Sequence, residues 1–390
     1  MTFKQYSLLI ISAISLVACT LDKTEDTPNT ELQNEYFANR RKIIPIIVSD
    51  NPTTDWEWVL SKKNSAEDSI RFSAKEYYFI SPYAGKFTLK VKGNQDGNLI
   101  DKTLIINIYK EPQPYSKYIS KVYDFSPAVG QFINKLPLWE TGDTNTQMIQ
   151  KASAIVGENP SLISLGGFGG YVVFGFDHTI IRRDNHQEIK ILGNTFSGGS
   201  EPGIVLVAFD KNRNGLPDDE WYEIAGSEYQ QPQTIKNYTI TYHKPNENKT
   251  AVKGSLPWQT DVEYIKWEDN QGQTGYKTKN AYHLQSYYPL WITNEKISFT
   301  GTKLANNYTN TGTEDAPYWQ GKSYSYGYVD NAPNNDSASN IDIDWAVDKN
   351  GNAVKLPGID FVKVYTATNQ EAGWLGEIST EVVGAYEIEN

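Results

Sequence analysis

Short runs of β-branched and aromatic residues, separated by turn residues, constrain the fold of this chain more than any other feature. Ile43 to Val48 is apolar, and Asp55 to Val59 alternates between apolar and polar residues. Further runs follow up to residue 108, and no part of this stretch carries a sustained helical period. The pattern predicts an all-β protein that begins with a small sandwich of roughly seven strands over residues 36–110.

A proline-spaced segment, Glu111 to Pro114, predicts a stiff linker between this unit and a larger one. One short helix is expected near Gln147 to Val156. No repeat period of about 20–50 residues is visible, which argues against a propeller or a solenoid. We therefore expect residues 115–387 to form a second domain, a jelly-roll-like β-sandwich. Its strand runs are Tyr171–Phe176, Ile204–Phe209, Tyr238–Tyr242, Ile297–Gly301 and Phe361–Tyr365.

The first residues have the layout of a bacterial export signal. Lys4 provides the positive end, and an apolar core that is too short to span a bilayer leads to Cys19. The run that ends in Cys19 resembles a bacterial lipobox, in which the cysteine receives a diacylglycerol after the signal peptide, residues 1–18, is removed. Cys19 is the only cysteine in the chain, so lipidation accounts for it without a disulfide. An ordinary cleavable signal is the alternative.

The segment after Cys19 is polar and predicts a flexible tether over residues 19–35. Its acidic cluster, Asp22 to Asp26, resembles the signal that sends lipoproteins of the Bacteroidota to the cell surface. A generic charged linker is the alternative interpretation. We therefore expect an outer-membrane lipoprotein that is exposed at the cell surface. A lipoprotein that faces the periplasm is the alternative.

The net charge and the motifs of the chain argue against several classes of function. The net charge is −11 and the sequence pI about 5.0, which argues against a nucleic-acid partner because phosphate backbones attract clustered Lys and Arg. The four His residues lack metal-ligand spacing, and the chain has neither a second thiol nor a nucleophile elbow. We therefore expect a binding protein and not an enzyme. One enzymatic hypothesis remains, in which Asp177 and Glu201 form the carboxylate pair of a glycosidase.

The sharpest chemical motif is the acidic turn from Asp210 to Glu220. Oxygen-bearing side chains alternate along it before a glycine, as in loops that wrap one calcium ion. It resembles the calcium loops of dockerins and thrombospondin type 3 repeats, although Trp221 stands where an EF-hand has its bidentate glutamate. An Asn-Gly hairpin is the alternative. The motif predicts a structural calcium ion held by Asp210, Asn212, Asn214, the carbonyl of Leu216, Asp218 and Glu220.

The chain is rich in aromatic residues, with 26 Tyr and 10 Trp, and several late ones flank loops rich in Asn, Gly and Thr. Rings beside amides suit a ligand that offers apolar faces together with hydroxyls or amides. Packing in the core is an equally weighted alternative. The predicted ligand-binding residues are Trp267, Tyr287, Tyr288, Trp291, Trp319, Tyr326 and Tyr328.

Two resemblances extend these hypotheses. In the first domain, an early Trp followed by the run Tyr83 to Val91 resembles a PKD domain, although the aspartate-rich turn of that family is absent. The second domain, through residues 127–134, 166–180, 193–223 and 356–382, is similar to a family of Bacteroidota cell-surface lipoproteins. Some members of that family are similar to proteins encoded beside outer-membrane cobalamin uptake systems.

Taken together, these features favour a surface lipoprotein that captures an extracellular nutrient, either cobalamin or a glycan. The resemblance implies cobalamin and a TonB-dependent transporter as partner, and it transfers no catalytic residues. Two alternatives remain from other classes of function. One is a calcium-dependent glycosidase or lyase acting on polysaccharide, and the other is a structural adhesin subunit.

Overall fold

The computed structural model describes residues 32–48, 56–61, 70–71, 75–95, 98–313 and 316–388. The predicted leader, the lipidation site Cys19 and all but the last four residues of the predicted tether lie outside these ranges. Within them, no helix has both the length and the apolar character needed to cross a membrane.

Seven strands form the first domain, as the sequence predicts. They are β1 (Glu35–Asn39), β2 (Ile44–Ile47), β3 (Glu57–Ser61), β4 (Ile70–Arg71), β5 (Glu76–Phe79), β6 (Gly85–Gln95) and β7 (Asn98–Tyr109). One sheet has the order β1-β7-β6-β3 and the other β2-β5-β4. Along β6, Phe87, Leu89 and Val91 are buried while Lys90 and Lys92 are exposed, which is the alternation of a strand with one face on a core.

The second domain contains the other strands and one short helix. Its first strands are β8 (Lys121–Ser126), β9 (Ile163–Ser164), β10 (Tyr171–Ile181), β11 (Ile189–Leu192), β12 (Gly203–Ala208), β13 (Tyr222–Ile224), β14 (Ile235–His243), β15 (Gln259–Asp269) and β16 (Thr274–Asn280). They are followed by β17 (Lys296–Lys303), β18 (Tyr308–Asn310), β19 (Trp319–Gly321), β20 (Asn340–Ile341), β21 (Ala346–Val347), β22 (Gly358–Thr366), β23 (Glu381–Val382) and β24 (Gly384–Glu387). Helix α1 (Asn145–Ala152) lies where a helix was expected, and a capping box between Thr144 and Gln147 fixes its start.

A six-stranded antiparallel sheet, ordered β21-β13-β12-β22-β10-β8, is the centre of the second domain. Val205 and Val207 of β12 point into one hydrophobic cluster, together with Met148 of α1. Ile204 of the same strand points into a second cluster, which the sheet β16-β15-β14-β17 covers. Both faces are therefore buried, which explains why β12 is continuously apolar in sequence. The all-β, sandwich-like fold expected from the sequence is confirmed.

The two domains share a hydrophobic contact. Ile43, Tyr78 and Ile80 of the first domain are buried in the cluster that contains Val205 and Val207. The Tyr78 ring meets Phe209 edge-on, with 5.0 Å between ring centroids. Lys211 also pairs with Glu76 at 2.8 Å. The first domain is thus packed against the second and does not rely on the linker alone for its placement.

Replacing Tyr78 with Ala is expected to lower the free energy of unfolding by about 3–5 kcal/mol, because the ring is completely buried where the domains meet. Urea unfolding measures this change. The matched control is Tyr83→Ala, since the Tyr83 side chain is 54% exposed and its loss should cost under about 0.5 kcal/mol. Equal stabilities of the two variants would contradict the shared contact.

Candidate functional site

Strand order brings several loops to one end of the central sheet. Ser126 at the end of β8 pairs with Tyr171, which pairs with Tyr365, and Gly203 at the start of β12 pairs with Thr366. The loops after β8, before β12 and after β22 therefore leave the sheet side by side. With Tyr282, His283 and Tyr308 they enclose a pocket of about 440 Å³. That volume lies within the usual range for small-molecule sites.

Exposed aromatic rings stand around this pocket. Phe196, Tyr282 and Trp374 line it, and their side chains are 70%, 69% and 42% exposed. A Cβ on Gly199 would lie 2.7 Å from the Phe196 ring, so only glycine lets the chain pass this closely behind it. Gly376, with φ of 90°, closes the tight turn that presents Trp374. The loops thus hold large apolar faces where a ligand can reach them.

One wall of the pocket carries an imidazole. The Phe132 ring meets His283 nearly edge-on, with 4.8 Å between centroids. Burial lowers the pKa of His283 below its usual value, and Lys135 adds to this effect. The ring is therefore neutral at pH 7, with one nitrogen able to donate and the other able to accept a hydrogen bond.

Carboxyl groups form the floor of the pocket. Glu201 and Glu381 line it, and oxygen atoms of Glu201, Asp330 and Glu381 lie within 4.8 Å of one another. Glu201 and Glu381 each shift the pKa of the other. Burial, followed by the charges of Glu381 and Asp330, raises the pKa of Glu201 well above its usual value. Burial also raises the pKa of Asp330 to about 7.

A fourth acid, Glu377, lies deeper in the wall. Its Oε1 accepts a hydrogen bond of 2.5 Å from the backbone of Gln131, whereas its Oε2 is buried without a partner among the described residues. Burial raises the pKa of Glu377 to about 8, against the opposing charge of Lys277. The pocket thus combines apolar faces at its rim with hydrogen-bond acceptors at its base.

Glu377 predicts a pH dependence of stability. Its pKa in the folded chain is about 8, against about 4.3 for an unfolded glutamate, so the folded state binds the extra proton between these values. The free energy of unfolding contributed by this group therefore falls as the pH rises from about 4 to about 8. Glu377→Gln keeps the acceptor for Gln131 and loses this dependence. Urea unfolding at pH 5 and pH 8 measures this effect. Relative to the native chain, the variant should be more stable at pH 8 than at pH 5. An equal difference in stability between the two chains at both pH values would contradict the prediction.

The structure folds the predicted calcium turn into a compact loop. Asp210 accepts hydrogen bonds from the backbone of Asn214 and Gly215, each at 3.0 Å. Asp218 accepts from the side-chain amides of Asn212 and Asn214 at 3.1 and 2.9 Å. Four of the predicted ligands are thus brought together, and calcium at this loop stays a prediction.

The other predicted ligands of this loop lie at its edge. Glu220 accepts a hydrogen bond of 3.0 Å from the hydroxyl of Tyr222, and the Leu216 side chain is 48% exposed. Asp219, which lies in the motif but is not among the predicted ligands, accepts a hydrogen bond from the backbone of Lys211. Burial and the charges of Asp210 and Asp218 raise the pKa of Asp219 to about 6.

The predicted aromatic residues do not form one surface. Tyr287, Tyr288 and Tyr328 are buried in the cluster between the two larger sheets, and Trp291 is buried in the other cluster. A buried ring cannot stack on a ligand, so these four positions are corrected to core packing. Trp267 packs against the cluster that contains Tyr287, and the ring of Tyr326 packs against Trp345. Trp319 packs behind the pocket, against Tyr308, Ala372 and Ile378.

Sequence reasoning gave Phe196 and Trp374 no role in ligand binding, and it noted the aromatic Tyr282 without including it among the predicted ligand-binding residues. A local signal exists for two of them, since Phe196 precedes two glycines within a Ser-Gly run and Trp374 lies between Gly373 and Gly376. Large rings among glycines cannot pack into a regular strand, so they are candidates for exposure.

The hypothetical pair of Asp177 and Glu201 is not one site. Asp177 contacts His178 at 2.8 Å and the backbone of Ser116 at 3.0 Å. Glu201 instead joins Glu381 and Asp330 in the pocket. The carboxyl partner of Glu201 in the structure is therefore Glu381.

Comparisons with known proteins add little to this geometry. No protein-family model matches the chain, and no curated protein matches it. Among solved structures, a SusE-like protein aligns over 90% of this chain and 93% of its own, with a TM-score of 0.29 and 10% sequence identity. A likeness at this level carries no functional argument.

Proposed function

We propose that this chain is a cell-surface lipoprotein that binds an extracellular nutrient in the pocket between Phe196, Tyr282 and Trp374. The observation that carries the proposal is the combination of exposed aromatic faces at the rim with acceptor oxygens in the wall and at the floor. Sites that bind small molecules combine apolar walls with a few placed polar groups in this way.

A glycan is the ligand class that this arrangement suits best. The C–H faces of a sugar ring stack on aromatic side chains, while its hydroxyls donate to carboxylates and amide oxygens. The pocket provides both kinds of surface, with Trp374 at the rim and Glu377 and Gln131 in the wall. Cobalamin is the second candidate, and it rests on the sequence resemblance alone.

Two experiments test the proposal with the mature chain, residues 19–390, in which Cys19→Ser prevents lipidation. Electrophoresis through gels that contain single polysaccharides detects glycan binding as retardation, and calorimetric titration with cyanocobalamin tests the other candidate. We expect binding to at least one probe. Failure of every polysaccharide and of cyanocobalamin to bind would remove the proposal.

Polysaccharide hydrolysis is the second candidate function, because two carboxyls with raised pKa values lie in one pocket. A retaining glycosidase separates its carboxyl groups by about 5–5.5 Å so that the sugar carbon fits between them. Oxygen atoms of Glu201 and Glu381 lie within 4.8 Å of each other, which is below this separation. Binding is therefore preferred. Release of reducing ends by the native chain, lost in Glu201→Gln, would instead establish hydrolysis.

A further inference from the structure

The acids at the pocket floor are arranged as ligands around one point. Single oxygen atoms from Glu201, Asp330 and Glu381 all lie within 4.8 Å of one another. Oxygens that bind the same calcium ion at about 2.3–2.6 Å cannot be more than about 5 Å apart, so this spacing is the one that a shared cation requires. Among the described residues, no other three acidic or histidine side chains meet this condition.

Asp330 is held rigidly in this position. Its Oδ1 accepts hydrogen bonds of 2.9 Å from the backbone of Asn194 and Thr195, and of 2.6 Å from the Thr195 hydroxyl. Its Oδ2 accepts from the backbone of Glu381 at 2.9 Å. Donors of this kind stabilise the ionised carboxylate, which is the form that binds a metal.

Glu381 is anchored in the same way. Its Oε1 accepts hydrogen bonds from the hydroxyls of Ser164 at 2.8 Å and Ser379 at 2.6 Å. Asn194 also lines the pocket and lowers the pKa of the Glu381 carboxyl. Outer contacts like these orient metal ligands and are a usual part of a metal site.

A second observation points to a missing donor or cation in the same pocket. Glu377 and Gln131 are 6% and 3% exposed, and both line the pocket with Glu201 and Glu381. The Oε1 of Gln131, an amide oxygen that can only accept, is buried with no hydrogen-bond partner among the described residues. Leaving a buried acceptor unpaired costs about 1–3 kcal/mol, so a group from outside the chain is expected there.

The protein itself does not neutralise the cluster. None of the ion pairs formed by the described part of the chain includes Glu201, Asp330 or Glu381. The buried Lys277 faces Glu371 and Glu377 instead. Three carboxyls in one buried place therefore need protons or a bound cation.

We propose that Glu201, Asp330 and Glu381 bind one divalent cation at the floor of the pocket, and that calcium is the ion. All three ligand atoms are oxygens, which argues against zinc because zinc prefers nitrogen and sulfur ligands. Calcium accepts six to eight oxygens in irregular arrangements, whereas magnesium demands a near-ideal octahedron. This site is distinct from the loop of Asp210 to Glu220, and it stands whether or not the pocket binds a nutrient.

Terbium luminescence of the mature Cys19→Ser chain tests the site, because terbium replaces calcium and is excited by nearby rings such as Tyr308, whose pKa is raised by burial and by these same three acids. We expect one terbium ion to be displaced by calcium in the native chain. Glu201→Gln should weaken its binding at least tenfold. Two control variants should leave this site unchanged. They are Asp218→Asn, which alters the predicted calcium loop, and Glu263→Gln, at an exposed position on β15.

Calorimetric titration with calcium alone gives the second readout. Binding in the native chain that Glu201→Gln removes and Asp218→Asn retains supports the proposal. Two ions in the native chain and one in Glu201→Gln support it equally. Absence of binding at about 10 mM calcium, above the ~10⁻⁴–10⁻³ M range of extracellular calcium modules, overturns it. So does binding that only Asp218→Asn removes. Asp330→Asn serves as a further variant where circular dichroism shows that it folds.

Discussion

The Cys19→Ser variant is expected to move from the membrane fraction into the soluble fraction. A diacylglycerol on the thiol supplies two acyl chains, and each buried CH₂ contributes about 0.8 kcal/mol to membrane binding. A single acyl chain binds a membrane only marginally, whereas two chains give stable anchoring. In this proposal the lipid on Cys19 attaches the chain to the membrane.

Cell fractionation with immunoblotting measures the shift, and metabolic labelling with palmitate measures the acylation. The native chain should carry the label and sediment with the outer membrane. Thr20→Ser, which changes the next residue and keeps the thiol, is the matched control and should behave as the native chain does. A native chain that takes up no label and stays in the cytosol would refute the lipoprotein interpretation.

Trp374→Ala is expected to weaken nutrient binding by about tenfold or more. The ring is 42% exposed at the rim of the pocket, opposite the loop that carries Phe196. Truncating a central aromatic residue of a binding site commonly costs about 2 kcal/mol or more, and about 1.4 kcal/mol is already tenfold in affinity. The same titration that detects binding by the native chain measures this loss.

The control for this variant is Tyr318→Ala. Tyr318 is 61% exposed and does not line the pocket, so its loss tests whether any exposed ring contributes to binding. We expect its affinity to equal that of the native chain. Both variants should also unfold at nearly the same urea concentration as the native chain, because a surface substitution changes stability very little. Equal losses of affinity in the two variants would mean that the pocket is not the site.

Local patterns were sufficient to predict the strands that carry long apolar or alternating runs. The alternation in β6 and the apolar run in β12 are properties of a few consecutive residues, and each predicted a strand that the structure contains. The start of α1 carries its own capping residues, Thr144 and Gln147. Strand β1 was not predicted, because it pairs in parallel with β7 at the edge of a sheet and lacks a fully buried face.

The pocket depends on contacts that no local pattern contains. Thr195 and Asp330 are 135 residues apart in sequence and meet only because of the strand order. Glu201 was paired with Asp177 in the sequence hypothesis, whereas its partners in the fold are Asp330 and Glu381. Conversely, Tyr287 and Tyr288 lie in the loop between β16 and β17, as interpreted, but their rings are buried and their hydroxyls bond to backbone groups. Burial of these rings is a tertiary effect.

Hydrogen–deuterium exchange on the mature chain, with and without the polysaccharide or cyanocobalamin that it binds, tests most directly where a nutrient is held. Bound ligand should slow exchange of the backbone amides in residues 194–201 and 373–381, the two loops that present Phe196 and Trp374. Protection confined to the turn of residues 210–220, or to the segment around Tyr326, would place the ligand elsewhere and contradict the account.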